Sequence, residues 1–77
     1  MDIDAQTKTL LLEERLRLWR NTLFAQETDA KLAQKFVELK LANGEQMLEA
    51  AKAEMKRCIV AIETLQAMLD EIKQPAQ

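Results

Sequence analysis

The chain has 77 residues, of which 48% are hydrophobic, with 11 basic and 13 acidic side chains and a formal net charge of −2 at pH 7. This length bounds the fold at one small domain. A single cysteine and no histidine exclude an intrachain disulfide and remove the commonest general base and nitrogen ligand of proteins. No apolar run approaches the ~20 residues that a membrane-spanning helix requires.

The small size also predicts association with other chains. A domain of this length is usually stabilised by disulfides, by a metal or by self-association. The composition leaves only the last, so we expect a homodimer or a higher oligomer. The acidic first residues lack the basic-then-apolar order of a signal peptide. We therefore expect a cytoplasmic protein without a membrane contact, formed as a single helical-hairpin domain over residues 1–77.

The first predicted element is a long α-helix over about residues 4–42. Asp2 or Asp4 can cap its start, because a side-chain oxygen there accepts a hydrogen bond from a free backbone amide. Helix-favouring residues dominate this stretch, and no glycine or proline interrupts it. One alternative stays open, in which Thr28-Asp29 caps a new helix and divides the first.

The turn is predicted at Asn43-Gly44, where we expect the glycine to take the left-handed conformation that often ends helices. A second helix follows over about residues 45–74, and Pro75 ends it. A connection this short places the two helices antiparallel, as an αα-hairpin. One very long helix through Gly44 is the alternative, and it ranks second because Asn-Gly is a turn signal.

Both predicted helices carry a largely apolar stripe, here called a seam, whose members recur at alternating steps of three and four residues. This heptad spacing is typical of a coiled-coil-like contact with a partner helix. The seam of the first helix consists of Leu12, Leu16, Trp19, Leu23, Gln26, Ala30, Ala33 and Val37. The seam of the second helix consists of Leu48, Ala51, Met55, Cys58, Ile62, Leu65, Leu69 and Ile72. We expect Cys58 to be a small buried side chain, since no histidine exists to activate its thiol.

A second apolar row, spaced by seven residues, runs along the first helix. A helix with one partner needs only one narrow stripe, so the wider apolar arc predicts a neighbour on a second side. Burial of that side against a second copy would give a dimeric four-helix bundle. The row itself is Leu11, Leu18, Ala25, Leu32 and Leu39. The predicted self-association residues are Leu11, Leu18, Leu32, Phe36, Leu39, Met47, Ala61 and Met68.

The segment Arg15–Phe24, with the sequence RLRLWRNTLF, mixes basic and aromatic side chains. It can be interpreted either as a patch for nucleic acid or as the buried side of a bundle helix. Leu16, Trp19 and Leu23 fall on the seam, so we interpret the segment mainly as core with its charges turned outward.

Arg17, Arg20 and Phe24 point away from both apolar rows, and we predict that they contact a partner. An exposed phenylalanine has no role inside the hairpin, although single exposed apolar residues are common. Glu13 lies four residues before Arg17, which is the spacing of an ion pair on an exposed helix face.

No motif indicates catalysis. The sequence has no glycine-rich phosphate loop, no Cys-x-x-Cys pair and no nucleophile beside a base. The Glu-x-x-His signature of di-iron bundles cannot be formed without histidine. We therefore predict a protein that is not an enzyme and has no catalytic residue, no cofactor and no metal.

The predicted function is a protein–protein interaction module, such as a small adaptor, chaperone or accessory or regulatory protein of the kind found in bacteria and phages. The alternative is a small dimeric regulator that binds nucleic acid through a basic face of the first helix. Residues 5–42 hold seven basic and five acidic side chains, whereas residues 45–74 hold four and six. Binding to phosphates needs a net positive surface, so another protein is the favoured partner.

Overall fold

The computed structural model describes residues 4–73, which form two helices, α1 (Ala5–Glu38) and α2 (Gly44–Lys73), with no strand in that range. The two helices pack along one another as a hairpin, and the Cα atoms extend over 57 × 21 × 17 Å. The predicted all-α, two-helix fold is confirmed. Pro75, the predicted end of the second helix, lies outside the described residues.

α1 begins at the predicted cap. The Thr7 amide donates a hydrogen bond to Asp4 Oδ1 at 2.7 Å, and this bond lowers the pKa of the Asp4 carboxyl below its ordinary value. Asp2, the other candidate cap, lies outside the described residues. The cap satisfies one of the amides that the first helical turn leaves without an intrahelical partner.

α1 then continues without a break through Thr28-Asp29. The Thr28 hydroxyl donates to the Phe24 carbonyl at 3.0 Å, one turn back, instead of capping a new helix. A threonine that bonds backwards in this way is compatible with a continuous helix. The alternative of a divided first helix is therefore wrong.

α1 ends at Glu38, before the predicted end near residue 42, in a Schellman arrangement of hydrogen bonds. The Lys40 amide donates to the Val37 carbonyl at 3.0 Å, and the Leu41 amide donates to the Phe36 carbonyl at 2.9 Å. These bonds use carbonyls that the helix end would otherwise leave unpaired. The motif requires a left-handed residue, and Lys40, with a φ of 57°, supplies it.

The expectation that Gly44 takes the left-handed conformation is wrong. Lys40 and Asn43 have positive φ angles of 57° and 67°, and Gly44 does not. Gly44 is the buried first residue of α2, where a Cβ atom would lie 2.9 Å from the Val37 nitrogen and 3.1 Å from Phe36 Cβ. The glycine is needed because α2 starts in close contact with the end of α1.

The core is a single layer of side chains between the two helices. Every residue of both predicted seams is buried or half-buried, which confirms that these residues form the contact. No charged or polar side chain is buried among the residues described. The hydrophobic side chains that are almost completely buried are Leu16, Ala33, Ala51, Cys58 and Leu69.

Candidate interaction surfaces

The leucine row, defined as Leu11, Leu18, Ala25, Leu32 and Leu39, lies on the outside of the hairpin. Its four leucines keep between 43% and 61% of their surface exposed, and Ala25 is exposed as well. Seven residues are close to two helical turns, so the continuous α1 and its C-cap Leu39 present these side chains along one side. An extended exposed apolar stripe is typical of an interaction surface.

The other residues of the predicted self-association face differ in exposure. Met68 is 44% exposed, whereas Phe36, Met47 and Ala61 are half-buried. The structure brings Leu32 and Met47 to one shallow groove between the helices. The exposed apolar surface on this side is therefore supplied mainly by α1, with α2 contributing at the edge.

A cation–π contact that the sequence analysis missed lies beside Leu18. The Arg57 guanidinium carbon is 5.9 Å from the centroid of the Trp19 ring, and Arg57 also pairs with Glu54 at 3.7 Å. Arg15 lines the same shallow groove. Trp19 is half-buried, so the arginine covers part of the ring that the hairpin leaves open. The contact depends on the register of α1 against α2, which no local spacing reveals.

The predicted partner-contact residues Arg17, Arg20 and Phe24, here called the Phe24 surface, lie on another side of α1. Phe24 is 70% exposed, more than any other large hydrophobic residue described. Arg17 and Arg20 line a groove with Gln66 and Lys73 of α2. Phe24 does not line that groove; it follows on the same helical face, one turn beyond Arg20.

Arg17 pairs with Glu14, and the predicted pairing with Glu13 is wrong. Arg17 Nε donates to Glu14 Oε2 at 3.1 Å and Nη2 donates to Oε1 at 2.6 Å, so the guanidinium uses its two-pronged geometry. These hydrogen bonds lower the pKa of the Glu14 carboxyl and raise the pKa of the Arg17 guanidinium. The pair reduces the positive charge that the Phe24 surface presents.

Further ion pairs interleave charge of both signs on the hairpin. Lys35 Nζ lies 3.6 Å from Glu38 Oε2 in α1, and the Arg57–Glu54 pair occupies the equivalent three-residue spacing in α2. Exposed pairs of this kind contribute little to stability. Their effect here is electrostatic, because each pair places an acidic side chain beside a basic one and lowers the local positive charge.

Three observations on the described residues concern metal binding, the cysteine and membrane insertion. Among residues 4–73, no group of three or more cysteine, aspartate or glutamate side chains is placed to hold a metal ion. Cys58 is completely buried between the helices and away from solvent. Neither α1 nor α2 combines the length and the apolar character that crossing a membrane requires.

No protein-family model matches the chain, and neither a curated protein nor a solved structure is significantly similar to it. The leucine row and the Phe24 surface are therefore the features of this chain that indicate a function.

Proposed function

We propose that this chain is a non-enzymatic helical hairpin that self-associates and acts as a protein–protein interaction module, as a small adaptor, chaperone or accessory protein does. The observation that best supports the proposal is the exposed leucine row on one side of α1. Removing these leucines from water is favourable, because transfer of apolar surface out of water drives association. Contact with a second hairpin would give a dimer of four helices.

The thin core supports the same proposal. Three of the almost completely buried side chains, Ala33, Ala51 and Cys58, are small. Small residues let the helices approach closely but remove little apolar surface from water. A chain of this length then gains much of its remaining burial from association, as small domains commonly do.

The Phe24 surface is proposed to contact a different protein. Phe24 lies off the leucine row, so a dimer formed through that row leaves its ring exposed. Aromatic side chains, together with arginine, are enriched among the residues that dominate binding energy at protein interfaces. Arg20 and the paired Arg17 would form the charged rim, where side chains mainly tune encounter rates.

Two measurements test the proposal. The mass from light scattering should be that of a dimer or a higher oligomer at micromolar concentration; a monomer would contradict self-association. Affinity capture of partners with tagged wild type should be weakened by Phe24→Ala and unchanged by Val60→Ala, a truncation on α2 at a comparably exposed site of 64%. Equal capture by wild type and the Phe24 variant would contradict the assignment of that surface.

Nucleic-acid binding is the second candidate, and one observation favours it. Arg17, Arg20 and Lys73 line a single groove together with Asn21, which gives several donors suited to phosphate, and Glu13 lines the same groove and offsets part of their charge. We expect no binding of RNA or DNA at physiological salt, because the chain has net negative charge. A salt-sensitive gel shift that disappears in the Arg17→Glu, Arg20→Glu double variant would favour this second function over the first.

A further inference from the structure

The leucine row is symmetric about its centre. Ala25 is the one small residue in the row, Leu18 and Leu32 lie seven residues to either side, and Leu11 and Leu39 lie fourteen residues to either side. All five positions are exposed. The row therefore presents nearly the same apolar profile when α1 is viewed in either direction.

We infer that two copies pack α1 against α1 in antiparallel orientation through the leucine row, with the two-fold axis at Ala25. This inference rests on the self-association proposed above and names its geometry. At the crossing point the small Ala25 side chains let the two backbones approach closely. Leu18 of one copy then lies opposite Leu32 of the partner, and Leu11 lies opposite Leu39, where the helices diverge and larger side chains fill the space.

Charges on one flank of the row are complementary in the antiparallel orientation. Glu14 follows Leu11 by three residues and Lys35 follows Leu32 by three residues, so both lie on the same flank. The two-fold axis places Glu14 of each copy opposite Lys35 of the other, giving two oppositely charged pairs. Glu14 pairs with Arg17 and Lys35 pairs with Glu38 within the hairpin, but their side chains remain 54% and 65% exposed, so each can take a second, oppositely charged neighbour from the other copy. In a parallel two-fold dimer the two different flanks would face each other, so Glu14 would lie opposite Arg15 of the partner and Lys35 would lie opposite Phe36, without an acidic partner.

The other flank is compatible with the same orientation. Arg15 and Asp29 lie there, three residues before Leu18 and Leu32. In the antiparallel dimer Asp29 lies opposite Thr22 of the partner and Arg15 lies opposite the partner's Phe36, so no like charges meet on this flank.

Cross-linking through single cysteines tests the geometry. Ala25→Cys should form a disulfide-linked dimer under mild oxidation, because only the axis brings identical positions into contact. Leu18→Cys alone should not cross-link with a short bis-maleimide, whereas a mixture of Leu18→Cys and Leu32→Cys should. The wild type is the matched control, since its one cysteine, Cys58, is completely buried. Circular dichroism should show that each variant keeps the helicity of the wild type.

A charge exchange gives an independent readout. Glu14→Lys and Lys35→Glu should each weaken dimerisation roughly 2- to 10-fold, as expected for two exposed ion pairs per dimer. The double variant should recover the wild-type dissociation constant. A double variant no tighter than the single ones would overturn the antiparallel pairing.

The outcomes separate this inference from the proposed function. A stable dimer in which Ala25→Cys does not cross-link, or in which Leu18→Cys cross-links with itself, overturns the two-fold axis at Ala25 and leaves self-association intact. A monomer in light scattering overturns both, and the leucine row would then be a surface for a helix of another protein.

Discussion

Leu18→Glu is the most direct perturbation of the proposed dimer, and its effect can be estimated from the exposure of the side chain. Leu18 keeps 43% of its surface exposed in the hairpin, so covering it in a dimer recovers about half of the 1.5–3 kcal/mol that full burial of a leucine contributes, or about 1 kcal/mol. The glutamate would also place an unpaired carboxylate against Leu32 of the partner, at a further cost of about 1 kcal/mol or more. Because a two-fold dimer contains the change twice, the total is on the order of 4 kcal/mol, or roughly a 1,000-fold weaker association.

The assay is a concentration series in analytical ultracentrifugation, with circular dichroism on the same samples. Leu10→Glu is the matched control, since Leu10 is 62% exposed on α1 but lies off the leucine row. We expect the Leu18 variant to dissociate and to lose helicity on dilution, and the Leu10 variant to resemble the wild type. Unchanged assembly of the Leu18 variant, or equal loss in both variants, would refute the reasoning.

Three further predictions concern the ends of the helices. Gly44→Ala should lower the midpoint of thermal unfolding, at a cost of about 1–3 kcal/mol, because the new methyl group would lie 2.9 Å from the Val37 nitrogen; an unchanged or higher midpoint would contradict the close approach. Lys40→Gly should stabilise the fold by about 0.5–1 kcal/mol in urea titrations, since Lys40 holds a left-handed φ of 57°; destabilisation would mean that the lysine side chain has another role. Asp4→Ala should destabilise α1 at neutral pH and have a smaller effect in acid. The hydrogen bond from Thr7 depresses the folded pKa of Asp4, so its contribution is present above the unfolded pKa and is lost as the pH falls through the folded value. An effect of this substitution that is independent of pH would refute the capping role.

The hairpin could be predicted because its determinants are local. The heptad spacing fixes which residues of each helix meet, whatever the other helix contains, and so both seams were found from the sequence. The cap at Asp4 has the same local character, because a side chain and an amide three residues apart suffice to form it.

The position of the turn could be predicted from the sequence, but the backbone conformation of each turn residue could not. The sequence Asn43-Gly44 suggested that the glycine adopts a positive φ angle. In the structure Lys40 and Asn43 have the positive φ angles instead. Gly44 is required by the proximity of Val37 and Phe36, which lie at the end of the other helix. A contact between elements leaves no signal in the spacing of residues within one element. The same reason explains why the cation–π contact between Arg57 and Trp19 was missed.

A dimer formed through the leucine row would leave the Phe24 surface of both copies exposed. Phe24 precedes Ala25, so it lies near the proposed two-fold axis but points about 100° away from the contact, as consecutive residues on an α-helix do. The axis then places the two Phe24 side chains on the same side of the dimer, separated by about the 8–10 Å that divides packed helices. A dimer with this geometry presents a double aromatic site flanked by Arg17 and Arg20 of each copy, which a monomer cannot offer. Loss of the dimer should consequently weaken the contact with a partner even when Phe24 itself is intact, because the second ring then no longer binds as part of the same molecule.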